Sequence, residues 1–295
     1  MKDPIQKLQD FKKEYDFLVC IDSDGCAFDT MDIKHKECFI PNTINEWDLQ
    51  AVSKYAREAA EFVNLYSRWR DMNRFPALIN VFDLLEERLE VRKRNFVLPE
   101  IDSLREWAAV EKRLSDPSLE KKISESKDPI LIKTLKWSKA VNENVEKIVK
   151  GVPPFPFVRD SILKMKETAD VAVVSSAPSE GLEREWNEHD LFRYVKLIAG
   201  QEMGNKTEIL ASIKDGYDLD KTIMIGDAVN DMKAAKDNGI LFYPINPGDE
   251  DVSWQRFYEE AFERFLNGTF GGIYEEKLIV EFEKHVPSLP PWKKK

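Results

Sequence analysis

Two aspartates separated by one residue follow a short apolar run in the segment FLVCIDSDG, residues 17–25. A carboxylate is costly to bury without a partner, so Asp22 and Asp24 either cap a turn or carry out chemistry. One of them could attack phosphorus as a nucleophile, and its neighbour could protonate the leaving oxygen and then deprotonate water. An isolated pair of this kind more often caps a turn, but together with the acidic segment GDAVND, residues 226–231, it predicts a catalytic site.

A second pair of carboxylates, Asp227 and Asp231, lies in GDAVND directly after the apolar run TIMIG. If all four carboxylates meet at one sheet edge, they repel one another unless a cation neutralises them, and oxygen ligands favour a hard ion such as Mg²⁺. For Asp231 the alternative is a carboxylate in the first turn of a helix, where it interacts with the helix dipole. The second pair thus indicates a metal site.

Hydroxyl and ammonium groups that could hold phosphoryl oxygens follow two further elements. Ser175 and Ser176 end the run VAVVSS, and we prefer Ser175 because it directly follows the apolar residues. Lys206 opens KTEIL at the predicted N-terminus of a helix. It could instead be a surface lysine, but a cation gains nothing from the dipole at that position, which favours a functional role.

The elements that must position these residues are predicted by apolar runs at 17–21, 171–175, 222–226 and 241–245. Such runs are typical of parallel strands covered on both faces. Helical patterns at 158–167, 180–188, 206–214 and 230–238 complete the alternation of a doubly wound, Rossmann-like α/β domain. In such sheets ligands bind at the carboxyl ends of the strands, where the candidate aspartates and serines fall.

The region from residue 31 to residue 151 differs, because its apolar residues recur at helical spacing and it contains no convincing strand. The sequence predicts an α/β catalytic core formed by residues 1–30 and 152–250, with an all-helical cap domain, residues 31–151, inserted after the first strand. Residues 251–295 are predicted to form a C-terminal helical extension, with helices near 253–266 and 273–285. The sequence does not decide whether its aromatic residues, Trp254, Phe257 and Tyr258 among them, pack on the core or on a second subunit.

The composition narrows the classes of partner. A formal net charge of −10 gives no electrostatic case for nucleic acid or an anionic membrane, and we expect neither as a partner.

The cysteines and the N-terminal segment bear on metal binding and location. Cys20, Cys26 and Cys38 lack the spacing of a zinc site, and carboxylates near Cys26 should raise its pKa. The first 16 residues lack the apolar core of a signal peptide, and no later run is long enough to span a bilayer, so a cytoplasmic location is expected.

Four segments, DSDGCAFDT, VAVVSS, GNKTEIL and IGDAVND, occur in the order of the four motifs of the haloacid dehalogenase-like (HAD) superfamily, which the sequence resembles. The resemblance implies that Asp22 is the nucleophile and that Asp24 is the general acid and base as well as a metal ligand through its carbonyl. It also implies that Ser175 and Lys206 anchor phosphate and that Asp227 and Asp231 hold Mg²⁺. The helical insert resembles the cap that one subgroup carries between its first two motifs.

This resemblance predicts a magnesium-dependent phosphatase that acts on a small phosphorylated metabolite through an aspartyl-phosphate, beneath a mobile cap. A phosphomutase with the same intermediate, and a non-catalytic binding protein that kept the fold, remain the alternatives. Within the cap, Arg68, Arg70 and Arg74 could recognise the anionic substrate or could instead belong to a solvated helix end. The sequence does not decide the oligomeric state, and a homo-oligomer is one of the alternatives.

Overall fold

Two units make up the part of the chain that this computed structural model describes, residues 4–293. The sheet unit contains the residues up to Thr30 together with Gly151–Pro287. The helical unit contains Met31–Lys150 and the residues from Ser288 onward. The helices that follow residue 250 therefore belong to the sheet unit up to Pro287.

The sheet unit is built on five parallel strands in the order β3-β2-β1-β4-β5. This confirms the predicted doubly wound sheet. The sequence did not predict β3, because its apolar run is only three residues long and gives no periodic signal. The strands are β1 (Phe17–Ile21), β2 (Ala169–Val174), β3 (Leu197–Ala199), β4 (Thr222–Gly226) and β5 (Leu241–Pro244).

Burial on both faces explains why the strands lack polar alternation. On β1, Val19 and Ile21 belong to one buried core cluster, whereas Leu18 and Cys20 belong to another. All four side chains are fully buried. Because successive side chains of a strand point to opposite faces, a strand covered on both sides has to be apolar throughout.

The α-helices of the sheet unit cover its sheet, and those of the helical unit are joined by loops and by short 3-10 and π-helical segments. Among the described residues 31–150 there is no strand. The helices are α1 (Pro4–Gln9), α2 (Thr30–Ile33), α3 (Ile40–Glu46), α4 (Ser53–Asn64), α5 (Arg74–Glu87), α6 (Leu89–Arg92), α7 (Asp102–Val110), α8 (Asp116–Ser126), α9 (Pro129–Ile148), α10 (Val158–Met165), α11 (Ser179–Glu188), α12 (Lys206–Ile213), α13 (Val229–Asp237), α14 (Glu250–Arg256), α15 (Phe262–Leu266) and α16 (Ile273–His285).

The helical unit has its own aromatic core. Trp47 packs edge-on against Phe82 with ring centroids 5.2 Å apart, and Phe75 packs in the same way against Trp107 at 4.9 Å. Asp128 starts the longest helix, α9, by accepting hydrogen bonds from two main-chain N–H groups of its first turn. These aromatic pairs belong to a buried core of the helical unit itself. Such pairs lower the free energy of the folded state by more than their buried area alone accounts for. No helix within residues 4–293 has both the length and the apolar character that crossing a membrane requires.

The C-terminal helices pack on the sheet, which answers a question that the sequence left open. Trp254 and Phe257 are fully buried in the same core cluster as Val19 and Ile21. Tyr258 is only partly buried. The single helix predicted near 253–266 is instead two α-helices, α14 and α15, joined by a π-helical turn at Phe257–Ala261.

One buried carboxylate ties distant segments to the sheet. Asp170, on β2, accepts hydrogen bonds from the main-chain N–H groups of Glu14 and Tyr15 at 2.8 and 3.0 Å. It also accepts from the Tyr217 hydroxyl at 2.6 Å and the Lys196 ammonium at 2.8 Å. Burial raises the pKa of Asp170, but these hydrogen bonds outweigh burial and lower the pKa from its ordinary value of 3.8. The charged form is therefore the one that the fold stabilises.

We predict that Asp170→Asn lowers the free energy of unfolding at pH 7 by about 3 kcal/mol, because it removes a buried charge that four donors share, and an amide cannot accept from all four of them. A carboxylate with a lowered pKa stabilises above its unfolded pKa and loses that contribution as the pH falls through the folded value. The deficit should therefore shrink below about pH 3.8. Urea unfolding at pH 7 and pH 3 checks this, with the exposed Asp16→Asn as a control of little effect. Equal unfolding of native protein and Asp170→Asn at pH 7 would contradict it.

Candidate functional site

The candidate site lies where the strand order reverses. All five strands are parallel, but they are added to the sheet in two directions: β2 and β3 lie on one side of β1, and β4 and β5 lie on the other. The switch point at which such sheets bind ligands therefore lies between β1 and β4. Asp22 directly follows β1, and Asp227 directly follows β4. The Asp22 N–H donates to the carbonyl of Ile225 at 2.9 Å, which fixes the two strand ends side by side.

Three carboxylates converge there. Asp22, Asp227 and Asp231 each place a carboxylate oxygen within 4.8 Å of the other two. Each of these residues is at most 2% exposed. The Lys206 ammonium lies 3.2 Å from Oδ1 of Asp22 and 2.6 Å from Oδ1 of Asp231. The structure thus brings together four of the residues predicted from the sequence.

The local sequence explains why Lys206 points into this cluster. Asn205 precedes α12, and its side chain accepts from the N–H of Glu208 at 3.0 Å, while Glu208 accepts from the N–H of Asn205 at 2.9 Å. This capping box fixes Lys206 as the first residue of the helix. Lys206 is 6% exposed, so it is not a surface lysine. Since the helix dipole disfavours a cation there, the carboxylates supply its stabilisation.

Asp231 combines a helix-terminal role with a place in the cluster. Its Oδ2 accepts from the N–H of Ala228 at 3.0 Å, while its Oδ1 accepts from Lys206. Its side chain lies against Gly226, where an added Cβ would come within 2.4–2.5 Å of three Asp231 atoms. Gly226 lies inside the motif IGDAVND, but the sequence alone does not show that its lack of a side chain makes room for Asp231.

Asp24 lies on the turn that follows Asp22, in residues 22–28, which we call the Asp22 loop. The Ser23 carbonyl accepts from three N–H groups of this loop, and Gly25 adopts a positive φ of 77°. The Thr30 hydroxyl donates to Oδ1 of Asp24 at 2.5 Å. Asp24 is partly exposed, and its side chain is not one of the three clustered carboxylates. Thr30 is the last residue of the first motif, DSDGCAFDT, but its contact with Asp24 was not predicted from the sequence.

The serines and the cysteine near the site differ in exposure. Ser175 is 2% exposed and donates its N–H to Ala199 at 3.0 Å, whereas Ser176 is exposed. Which of the two serines holds phosphate stays a prediction. Burial raises the pKa of Cys26, and Asp227, Asp22 and Asp231 raise it further. The expected rise is confirmed, and Cys26 is a neutral thiol rather than a nucleophile at neutral pH.

The three arginines predicted for the cap lie in the helical unit. Arg68 is exposed. Arg70 is buried and donates to the Leu65 carbonyl at 2.8 Å. Arg74 donates to Ser138 and Asn142, and burial lowers its pKa. Arg70 and Arg74 therefore both bond to groups of the helical unit, and a substrate contact stays a prediction for all three.

Comparison with known proteins agrees with the motifs. The family model of haloacid dehalogenase-like hydrolases matches residues 106–245, which contain the second, third and fourth motifs. This match confirms the resemblance to that superfamily. No curated protein matches the sequence.

Solved structures include HAD-like relatives of low identity. A haloacid dehalogenase-like family hydrolase from Streptococcus pneumoniae is 14% identical over 81% of this chain and 90% of its own, with a TM-score of 0.42. One from Xanthomonas campestris is 11% identical over 87% of this chain and 95% of its own, with a TM-score of 0.45.

We predict that Gly226→Ala displaces Asp231 and lowers the free energy of unfolding by about 1–3 kcal/mol, because a methyl group is forced into a filled space. The matched control is Gly181→Ala on α11, where an added Cβ meets nothing within 4 Å. That change should leave stability equal or raise it by up to about 1 kcal/mol through helix propensity. Urea unfolding of both variants tests the contrast, and a neutral Gly226→Ala would contradict the packing described.

Proposed function

We propose that this haloacid dehalogenase-like protein is a magnesium-dependent phosphohydrolase that acts on a small phosphorylated metabolite through an aspartyl-phosphate. One observation carries the proposal. Three buried carboxylates, those of Asp22, Asp227 and Asp231, converge at the switch point of a parallel sheet, where the Lys206 ammonium contacts Asp22 and Asp231. Such a site is suited to a cation and to the oxygens of a phosphoryl group.

The donor set fits the implied metal. With the three carboxylates ionised and Lys206 protonated, the cluster carries a formal charge of −2, which a divalent cation would balance. Its ligand atoms are oxygens, which suit Mg²⁺ rather than a softer metal. Asp22, Asp227 and Asp231 would hold the ion with their side chains, and Asp24 with its carbonyl. When bound, Mg²⁺ supplies positive charge that offsets the charge of the phosphoryl oxygens.

The chain's own residues can account for both halves of the reaction. Asp22 attacks phosphorus, a P–O bond forms to its carboxylate, and the bond from phosphorus to the leaving oxygen breaks while Asp24 gives that oxygen a proton. Asp24 then takes a proton from water, which attacks phosphorus and releases phosphate and free Asp22. The hydrogen bond from Thr30 orients Asp24 for both proton transfers. Lys206 and Ser175 would hold phosphoryl oxygens.

A small substrate is the partner that this proposal requires. The net charge of −10 disfavours polyanions, so a local cationic group such as Lys206 has to recognise the phosphoryl group. The helical unit would select the rest of the substrate. Arg68, one of the three predicted arginines, has an exposed side chain, and its contact with substrate is part of this proposal.

We predict that Asp22→Asn lowers phosphate release by about 10³-fold or more, because an amide cannot serve as the nucleophile. The assay compares sugar phosphates, nucleotides and short-chain phosphoesters, with and without Mg²⁺. Asp237→Asn, an exposed carboxylate at the end of α13, is the control and should keep native turnover. Full turnover by Asp22→Asn would refute the proposal.

Water labelled with ¹⁸O separates hydrolysis from phosphoryl transfer. Hydrolysis places the label in the released phosphate, because water attacks the phosphorus of the intermediate. A phosphomutase would return the phosphoryl group to a second hydroxyl without label. Product that carries the phosphoryl group, together with no labelled phosphate, would favour the mutase instead.

A further inference from the structure

Two buried tryptophans outside the four motifs donate hydrogen bonds to the Asp22 loop. The indole N–H of Trp186, on α11, donates to the Ser23 hydroxyl at 3.0 Å. The indole N–H of Trp254, on α14, donates to the Cys26 carbonyl at 2.7 Å. Both tryptophans are fully buried. We call these two residues the indole clamp.

Ser23 connects the clamp to both aspartates. It stands between Asp22 and Asp24, and its side chain is fully buried. While its hydroxyl accepts from Trp186, it donates to Oε2 of Glu185 at 3.2 Å. Its carbonyl accepts from the N–H groups of Cys26, Ala27 and Phe28, at 3.3, 2.9 and 3.0 Å. A movement of Ser23 would therefore move the whole loop.

Packing fixes the two indole rings. Trp186 lies edge-on to Phe28 with ring centroids 5.5 Å apart. Trp254 lies edge-on to Phe257 at 5.7 Å. Both rings belong to the core cluster that contains Ile21, the last residue of β1. A donor held in a packed core cannot turn to another acceptor, and leaving it unmatched is costly, so each ring specifies one position for the loop.

We propose that the indole clamp positions Asp22 and Asp24 for catalysis. The proposal rests on the proposed phosphohydrolase function. It adds that α14, the first helix of the C-terminal extension, helps to position the reacting groups. Trp186 and Trp254 act through Ser23 and Cys26 and are positioning residues. A small displacement of a reacting group lowers the rate constant strongly, so hydrogen bonds that hold the loop in place would raise kcat.

The test replaces each indole by a ring that cannot donate. Trp186→Phe and Trp254→Phe should each lower kcat about tenfold at saturating Mg²⁺, with a smaller effect on KM, because the two aspartates lose their alignment while the residues proposed to hold phosphate lie outside the loop. The matched control is Trp47→Phe in the helical unit, which is equally buried and whose indole N–H has no hydrogen-bond partner among the described residues. The control should lose a similar amount of thermal stability and keep native kcat.

A second readout does not depend on turnover. The amides of Cys26, Ala27 and Phe28 should exchange hydrogen faster in both clamp variants than in native protein or in Trp47→Phe. A double variant, Ser23→Ala with Trp186→Phe, should lose little more kcat than Ser23→Ala alone, because Ser23→Ala already removes the hydrogen bond that Trp186 donates.

Unchanged amide exchange in the clamp variants would overturn the proposal whatever the activity. Faster exchange with native kcat would also overturn it, because the hydrogen bonds would then be structural only. If the native protein released no phosphate from any substrate, the proposed function would fail, while the exchange comparison would still decide whether the indoles hold the loop.

Discussion

The convergence of three buried carboxylates beside one ammonium group is the constraint on which the rest of the site depends. Asp22, Asp227 and Asp231 lie close enough for their charges to repel strongly in a low-dielectric interior. The Lys206 ammonium contacts Asp22 and Asp231 and contributes one positive charge. A bound cation would lower the repulsion further, and this is the physical basis of the proposed divalent cation and phosphorylated substrate.

Local contacts that involve the main chain hold these like-charged side chains close together. The end of β1 is fixed against β4 by a main-chain hydrogen bond, a capping box sets the first residue of α12, and Asp231 caps the start of α13. Gly226 leaves the space that the Asp231 side chain fills. Because each of these contacts holds a side chain of the site in place, the unfavourable free energy of bringing the charges together is overcome during folding and not during a reaction.

The sequence allowed the core of the site to be predicted because its signals are local. Each of Asp22, Ser175 and Asp227 directly follows a buried apolar run, and parallel strands bring their carboxyl ends to one edge. The strand β3 was missed because three apolar residues carry too little pattern. The roles of Trp186 and Trp254 could not be predicted, because the residues that they contact lie 163 and 228 positions away. The positions of Arg70 and Arg74 likewise depend on tertiary packing.

The most direct test of the account is a calorimetric titration of Mg²⁺ into native protein and into Asp227→Asn, with no substrate present. If the carboxylate cluster is built around a divalent cation, native protein should bind one ion, and Asp227→Asn should bind it at least about tenfold more weakly, since one of its charged ligands is gone. Native protein that binds no Mg²⁺, or a variant that binds it equally well, would contradict the claim that this charge imbalance is a metal site.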